Sequence, residues 1–388
     1  MYMVVSLPVF SPQKEETYMI RCFHATLLIF LIVILSSCGK KAPLEDLTLA
    51  LILGIDLDDE NNLVFYEVNP VFIAGSKNES YEVKAKTIRD SRRLFDALTT
   101  GEVTAGKIQI LLVGKRIMQQ GDWFTILDTV YRNPTFSMNT RVVTVDGPVS
   151  EVVTKHPKEK PQIALHLKAV IDKNYDRTRA VKGTVQELHR EIHDKAITPI
   201  ISEVKKGKDL ELTGMSLLDN KGRYAQFLSV PESSLLLLLQ NKKRHEITLT
   251  IPALPKEDEN NIFHKNMMSF AANRVKTKIK SGYKQNKFYF DISLKMNINI
   301  VERLFPENKL NNDQLEKIIE KQLKKQILGL VKKIQKKKID PIGLGLYARA
   351  YQYPHYKKVE NNWGKALADA DVNVSVKIDI NANGAVLQ

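Results

Sequence analysis

The first third of the chain alternates between short apolar runs and turn-forming residues. Leu47–Ile55 is apolar, residues 56–62 are acidic or Asn apart from Leu57, and Leu63–Val68 alternates apolar and polar positions. Two such runs around a polar turn predict a β-hairpin. Helical spacing and apolar runs further along predict two helices and two strands, at 87–99, 125–132, 107–113 and 141–145. We therefore expect an N-terminal α/β domain over residues 38–155.

The middle of the chain begins after a run rich in Pro and charge, KHPKEKP at 155–161, which predicts a boundary. Residues 162–206 are expected to be mainly helical, with Leu188, Ile192 and Ile197 on one face. A strand pair at 210–217 and 224–228 flanks a turn, and Leu235–Leu239 reads as a buried helical turn. These elements predict a middle domain over residues 156–255.

The last third predicts strands, one long helix and a closing strand. Strands are expected at 246–252, 268–280, 288–301 and 370–380. Helical spacing from 313 to 338 places one apolar stripe on the helix, formed by Leu315, Ile319, Leu323, Ile327 and Leu330. This C-terminal domain, 256–388, completes an α+β fold of several domains, with mixed β-sheets flanked by helices and a long amphipathic helix near the C-terminus.

Lysines fill the polar face of that long helix. Its basic residues crowd toward the C-terminal half, where the helix dipole favours positive charge. We expect the lysines to face water, lipid headgroups or a partner, and the candidate surface consists of Lys324, Lys325, Lys332 and Lys333.

The N-terminus carries an export signal. Arg21 precedes an apolar run, Ala25–Leu35, that is shorter than the roughly 20 residues needed to cross a hydrocarbon layer. Such a run is typical of a secretory signal. The following Leu-Ser-Ser-Cys, ending at Cys38, resembles a bacterial lipobox, whose cysteine accepts diacylglycerol. We therefore predict a signal peptide over 1–37, with Met19 as an alternative start; the alternative is an uncleaved anchor with an incidental cysteine.

Composition narrows the class of protein. The 388 residues are 43% hydrophobic and 26% charged, as in a globular protein rather than a disordered chain, a collagen or a polytopic membrane protein. The net charge of +14 suits anionic lipid headgroups as a counter-surface. Nucleic acid is the other standard partner of a basic chain, but the export signal argues against it. Two cysteines exclude a disulfide scaffold.

Four local patterns approach known sites and depart from them. Gly101–Ile108 lacks the Ser or Thr of a phosphate loop, and Gly343–Ala348 follows a lysine-rich helix instead of the strand that a dinucleotide site needs. His189 and His193 share a helix face without an adjacent catalytic Glu. The acidic run beginning at Asp56 lacks the glycine of a calcium loop. We expect no catalytic, cofactor or metal site.

The whole pattern resembles the Ger(x)C lipoprotein family, the C subunit of bacterial spore germinant receptors. After the lipobox, the chain shares an apolar strand ending in Gly54-Ile55-Asp56, then a helix at 91–98 and a strand at 108–114. Ile300-Val301-Glu302 resembles the family's strand end before the long helix. Six single positions add to the match: Gln335, Asp340, Gly343, Gly345, Trp363 and Gly384. The family's Trp-Asp-x-Arg-Glu segment is replaced here by GKKAPLED at 39–46.

The resemblance implies a three-domain fold anchored at the outer face of the inner spore membrane. It also implies two partners, a polytopic A subunit and a transporter-like B subunit, which together respond to nutrients and trigger germination. On this reading the chain is a non-enzymatic lipoprotein subunit. The alternative is a substrate-binding lipoprotein of a transporter, although such proteins usually have two lobes of repeated strand–helix units. A lipid-anchored hydrolase ranks third, because no nucleophile and base are found.

Overall fold

A computed structural model describes residues 21–30, 43, 47–71, 78–154, 163–243, 245, 247–254 and 265–382. Residues 21–30 form an exposed helix within the predicted signal peptide. Cys38 and the charged run at 155–161 lie outside the described residues. The chain separates into one unit ending at Leu47 and a second that begins at Thr48; the elements below belong to the second unit, apart from the first residue of the first strand.

Strands and helices are interspersed through the first two thirds of the chain. In chain order the strands are β1 (Leu47–Leu49), β2 (Ile52–Leu57), β3 (Leu63–Asn69), β4 (Glu79–Lys84), β5 (Glu102–Thr104), β6 (Ile110–Gly114), β7 (Arg141–Val145), β8 (Ile200–Lys206), β9 (Leu210–Leu218), β10 (Tyr224–Ser229), β11 (Ile247–Pro252), β12 (Met267–Lys284), β13 (Lys287–Arg303) and β14 (Asp371–Ala382).

The α-helices of the second unit are α1 (Ile88–Asp96), α2 (Lys115–Met118), α3 (Asp128–Arg132), α4 (Val149–Thr154), α5 (Ile163–Asp176), α6 (Val185–His193), α7 (Val230–Leu239), α8 (Asn312–Lys337), α9 (Leu344–Tyr351), α10 (Tyr353–Val359) and α11 (Trp363–Ala368). Short 3₁₀ helices lie at Ala105–Lys107, Trp123–Leu127, Glu307–Lys309 and Glu360–Asn362.

The larger sheet has eight strands in the order β10-β9-β8-β7-β6-β2-β3-β4. Its centre, from β8 to β2, is parallel, and its flanks are antiparallel. β6 reads Ile-Leu-Leu-Val-Gly and is buried at every position, as expected of a parallel strand covered on both faces. Separate apolar clusters pack on the two faces, one around α1, α2 and α6, the other around α4 and α5. The predicted hairpin is confirmed as β2 and β3, with Ile55 opposite Phe65.

The expectation of a mainly helical stretch at 162–206 is wrong in its last part. α5 and α6 are helical, but Ile200–Lys206 forms β8 in the middle of the large sheet. Ile200, Ile201 and Val204 are all buried, so the strand shows no alternation of apolar and polar positions. A fully buried strand cannot be told from a helix by periodicity alone. β7 and β8, on either side of the predicted boundary at 155, lie in one sheet, and the division into three domains stays a prediction.

A second sheet, called here the small sheet, has the order β11-β12-β13-β14, with β13 and β14 parallel, and β1 and β5 pair separately as two strands. β13 alternates strictly between exposed and buried positions from Lys287 to Met296. Its buried face joins the apolar stripe of α8 and the leucines of α7 in one core. The predicted strands at 246–252, 268–280, 288–301 and 370–380 are confirmed with shifts of a few residues. So is the long helix, predicted at 313–338.

Both ends of α8 are fixed by local hydrogen bonds. At its start the Asn311 side chain accepts from the Gln314 amide, and the Gln314 side chain accepts from the Asn311 amide, which is a capping box. At its end Lys338 takes the left-handed conformation, with φ of 56°. The Gln335 side chain then donates to the carbonyl oxygens of Leu367 and Ala370. The helix is therefore tied to the segment that leads into β14.

A fully buried carboxylate, Asp340, organises the corner after α8. Its Oδ1 accepts from the amides of Gly343 and Leu344 at 2.8 and 3.0 Å. Its Oδ2 accepts from the Gly345 amide at 2.6 Å and from the Trp363 indole at 2.7 Å. Burial raises the pKa of Asp340, and these four donors offset part of that effect. Gly345 is required because a Cβ would lie 2.5 Å from the Ala196 carbonyl oxygen.

The same corner joins the two sheets. The Thr198 amide donates to the Asp340 carbonyl oxygen, and the Asp340 amide donates to the Thr198 hydroxyl, both at 3.0 Å. Thr198 lies two residues before β8 of the large sheet, whereas Asp340 lies between helices that pack on the small sheet. Asp340 therefore couples α8 to both halves of the folded unit.

We predict that Asp340→Ala destabilises the protein by roughly 3 kcal/mol or more. Four buried donors would lose their acceptor, and each unsatisfied donor costs about 1–3 kcal/mol. The free energy of unfolding from urea titration checks this. The control is Asp369→Ala, which removes an exposed carboxylate of the same corner and is expected to change stability by less than about 0.5 kcal/mol. Equal effects of the two variants would contradict the assigned role.

Candidate functional site

The lysines predicted to form a surface on the long helix are all exposed. Lys324, Lys325, Lys332 and Lys333 lie on the side of α8 away from the buried stripe of Leu323, Ile327 and Leu330. At about 100° per residue, Lys325 and Lys332 project almost in line, whereas Lys324 and Lys333 project about 180° apart, one on each side of that line. The four lysines therefore span about half of the helix circumference, and Lys324, Lys325 and Lys332 lie within about 100° of one another.

Lys333 is engaged within the fold. Its ammonium pairs with the Glu232 carboxylate, which itself accepts from the Ser229 amide and hydroxyl in the capping box of α7. Burial opposes ionisation of Glu232, but the hydrogen bonds from Lys333 and Ser229 outweigh it and lower its pKa. Lys333 therefore ties α8 to α7.

The other three lysines differ from Lys333 in lacking an ion pair of this kind within the described residues. In the described ranges Lys324, Lys325 and Lys332 form neither an ion pair nor a side-chain hydrogen bond. Their positive charge is therefore available to an external anion. We call these three residues the lysine face.

The two glutamates of α8 are directed at β14. Glu320 accepts from the Ile378 amide at 3.0 Å, and Glu316 accepts from the Ile380 amide at 2.8 Å. These amides belong to β14, the last strand of the small sheet, and point away from β13. The two carboxylates satisfy donors that an edge strand would otherwise leave open. Glu320 lies four residues before Lys324, one helical turn away, but its carboxylate is engaged by the Ile378 amide and the Lys377 ammonium.

A second polar cluster lies where the parallel strands of the large sheet end. Lys115, directly after β6, donates to Asp146 Oδ1 at 3.0 Å and to Glu203 Oε1 at 3.3 Å. The Ser216 hydroxyl donates to the other Glu203 oxygen. Burial raises the pKa of Glu203, and Ser216 and Lys115 offset part of the rise. The Lys115 ammonium also sits 4.9 Å from the centre of the Tyr224 ring.

Beside this cluster, a cleft of about 530 Å³ opens at the same edge of the sheet. Crevices outside the carboxyl ends of parallel strands are common ligand sites. Here, however, Asp56 already accepts from the Leu57 and Val149 amides, and Lys115 is paired. The cluster therefore stabilises the fold. Sequence analysis missed it, because Lys115 and Glu203 are 88 residues apart and no spacing rule joins them.

The local motifs occupy ordinary structural positions. Gly101–Lys107 spans a short strand and a 3₁₀ helix, and the acidic run is a hairpin tip in which Asp58 accepts from the Asn62 amide. His189 and His193 lie side by side on α6, with ring centres 4.3 Å apart and ring planes tilted by 31°. The amides at Gly343–Gly345, interpreted from sequence as a turn, open α9 and bind Asp340. Among the described residues no group of three or more potential metal ligands occurs, and none of their helices could cross a membrane.

Comparison with protein families covers most of the chain. The family described as "Spore germination protein N-terminal domain" matches residues 40–206, and "Spore germination B3/ GerAC like, C-terminal" matches residues 213–384. The first match ends with β8, and the second begins within β9.

Full-length relatives and one solved structure agree with this. The chain is 22% identical to Spore germination protein KC of Bacillus subtilis, over 94% of this chain and 96% of that protein. It is 23% identical to Spore germination protein GerQC of Bacillus cereus, over 92% and 98%. The crystal structure of the GerBC protein matches with a TM-score of 0.57 at 17% identity, covering 84% of this chain and 96% of that one, which establishes the shared fold.

Proposed function

Because the chain belongs to the Ger(x)C family of spore germination proteins, we propose that it is the non-enzymatic, lipid-anchored C subunit of a nutrient germinant receptor. The observation that carries the proposal is the match of both family domains over nearly the whole folded unit. In this role the chain acts beside an A and a B membrane subunit at the outer face of the inner spore membrane, and their assembly triggers germination.

The proposed anchor is a diacylglycerol group on Cys38. Cleavage before this residue would remove Cys22, so the mature chain would keep a single, acylated cysteine. Two or three acyl chains hold a protein stably at a bilayer, whereas one chain binds only marginally. The anchor supplies membrane attachment that no described helix could provide by spanning.

The proposed contact surface is the lysine face on α8. Each Lys near an anionic bilayer contributes about 1 kcal/mol to binding, and the capped helix, packed on the core by one face, holds the backbone of the three lysines in fixed positions. Lys333, predicted from sequence as a fourth member, contributes less because it already pairs with Glu232. The surface faces anionic lipid headgroups or an acidic surface of a partner subunit.

The alternative, a substrate-binding lipoprotein of a transporter, has less support. Such proteins place a ligand cleft between two lobes of strand–helix units. In the described residues the large sheet is continuous from β10 to β4, and the small sheet is an antiparallel ribbon closed by one parallel strand.

The receptor assignment predicts specific co-purification. We expect the tagged full-length chain, extracted from spore inner membranes in mild detergent, to bring down one polytopic protein and one transporter-like protein in fixed ratio. Mass spectrometry of the eluate checks this. The untagged strain controls for background. Recovery of the chain alone, or with an ATP-driven permease, would count against a receptor subunit.

The anchor predicts a difference between the two cysteines. Cys38→Ala should abolish incorporation of radiolabelled palmitate into the protein and reduce its recovery in membranes, because the acceptor thiol is lost. Cys22→Ala is the matched control and should keep both, since that thiol leaves with the signal peptide. Labelled palmitate retained in Cys38→Ala would refute the anchor.

The lysine face predicts binding to anionic lipid. In the unanchored Cys38→Ala chain, we expect K324E/K325E/K332E to weaken binding to phosphatidylglycerol vesicles by about 100-fold or more, from about 1 kcal/mol per lysine. Vesicle flotation measures it. The control, K276E/K278E/K280E, makes the same charge change at exposed positions of β12 and should weaken binding much less. Equal losses of vesicle binding in the two variants would show that binding depends on net charge and not on the lysine face.

A further inference from the structure

The short helix α9 carries apolar residues on both of its sides. Leu344 and Ala348 are buried in the core, whereas on the outer side Leu346 is 37% exposed and Tyr351 is 70% exposed. A surface helix usually places polar residues on the side that faces water. The only charged residue of α9 is Arg349. The outer side of α9 therefore has the composition of a surface that is covered when the protein works.

The same apolar surface continues into α10. Tyr353 is 53% exposed, and Ala350 and Pro354 are exposed as well. We call these residues, together with Leu346 and Tyr351, the tyrosine patch. Single exposed apolar side chains are normal on a soluble protein, but a contiguous group of them marks an interaction surface.

The tyrosine patch rests on a rigid base. α9 starts at the three amides that the buried Asp340 carboxylate binds. Tyr356 of α10 is 1% exposed and packs against Trp363, with ring centres 5.4 Å apart. Because the backbone under the patch is already ordered, covering the patch costs little further conformational entropy.

Unpaired positive charge lies beside the patch. Tyr283, near the end of β12, stacks on His355 of α10 with ring centres 3.8 Å apart, so the turn between β12 and β13 lies next to α10. Lys284 and Lys287 flank that turn and are exposed, as is Lys358 on α10. Among the residues that the structure describes, none of these three lysines has an ion-pair partner. We call them the basic rim.

Two acids close to the patch are already neutralised. Asp194 accepts two hydrogen bonds from the Arg349 guanidinium, at 2.8 and 3.1 Å. Glu360 pairs with Lys195 and with Lys357, each at 3.0 Å. The surface therefore combines exposed aromatic rings with cations that are free to meet an external anion.

We propose that the tyrosine patch enters the headgroup layer of a phospholipid bilayer, with the basic rim against anionic headgroups. Tyrosine suits this depth, because its ring is apolar and its hydroxyl stays hydrated. Buried apolar area and attraction between lysines and anionic lipid together drive such binding. The inference rests on the proposed membrane attachment and adds to it a second part of the chain that touches lipid, separate from Cys38 and from the lysine face.

Quenching by brominated lipid tests the contact directly. The full-length lipidated chain is reconstituted in vesicles of phosphatidylcholine and phosphatidylglycerol with bromine on the upper part of the acyl chains, and Tyr351→Trp supplies the fluorophore. The native Trp123 and Trp363 are only 2% and 4% exposed, so they give a constant background. We expect brominated lipid to quench the added fluorescence and the emission to shift to shorter wavelength. Tyr353→Trp is the second probe and should behave in the same way.

Matched variants separate the patch from general proximity to the membrane. Leu98→Trp places a fluorophore at a residue that is 53% exposed after α1 and should keep its fluorescence in brominated vesicles. K284E/K287E/K358E, added to Tyr351→Trp, should lower the equilibrium constant for lipid contact by about 100-fold or more on anionic vesicles, from roughly fivefold per lysine. Its effect in vesicles of phosphatidylcholine alone should be much smaller.

Three results would overturn the proposal. Equal fluorescence of Tyr351→Trp in brominated and ordinary vesicles, with the chain floating with the vesicles, would show that the anchor holds and the patch stays outside lipid. Equal quenching of Leu98→Trp would show that no particular face meets the bilayer. Quenching that disappears when co-extracted membrane proteins are retained would assign the patch to a protein partner. Quenching that persists in a chain without palmitate label would instead contradict the anchor and support the patch.

Discussion

The Asp340 carboxylate holds the corner on which both sheets and the long helix depend. It accepts from three successive amides and an indole nitrogen, and its own backbone exchanges two hydrogen bonds with Thr198. A carboxylate in this position is stable only if all four donors stay in place, since burial alone would drive it toward the neutral form. Asp340 thereby fixes the C-terminal end of α8 relative to the segment before β8, while the buried stripe of α8 sets which face carries the lysines.

Much of the fold could be predicted from the sequence, namely the helices and strands that have one buried side and one solvent-exposed side. The alternation along β13 and the stripe on α8 are of this kind, and both predictions were confirmed. β8 could not be recognised, because burial on both faces erases its alternation. The five leucines of α7 identified a buried turn, but its capping box with Glu232 and the tie to Lys333 became visible only in three dimensions.

The candidate sites also differ in whether they can be recognised from the sequence. The lysine face could be found from sequence because its members lie on one helix within a few turns. The cluster of Lys115, Asp146 and Glu203 joins residues from distant parts of the chain. Glu67 of β3 shows the same limit, because a Glu in an alternating strand is expected on the solvent-exposed face and here lies on the covered one. Such inward-facing charges carry no local pattern.

The two glutamates that α8 directs at β14 bear on how neighbouring copies behave. The unpaired amides of an edge strand can pair with a strand of another sheet. The proposed membrane tether would hold neighbouring copies of the chain in one plane, with their sheets at similar heights. In that arrangement the local concentration of the protein is high, and unwanted pairing between the edge strands of neighbouring copies is a hazard. Glu316 and Glu320 occupy two of those amides internally. These two amides of the last strand are therefore closed to pairing with a neighbouring sheet.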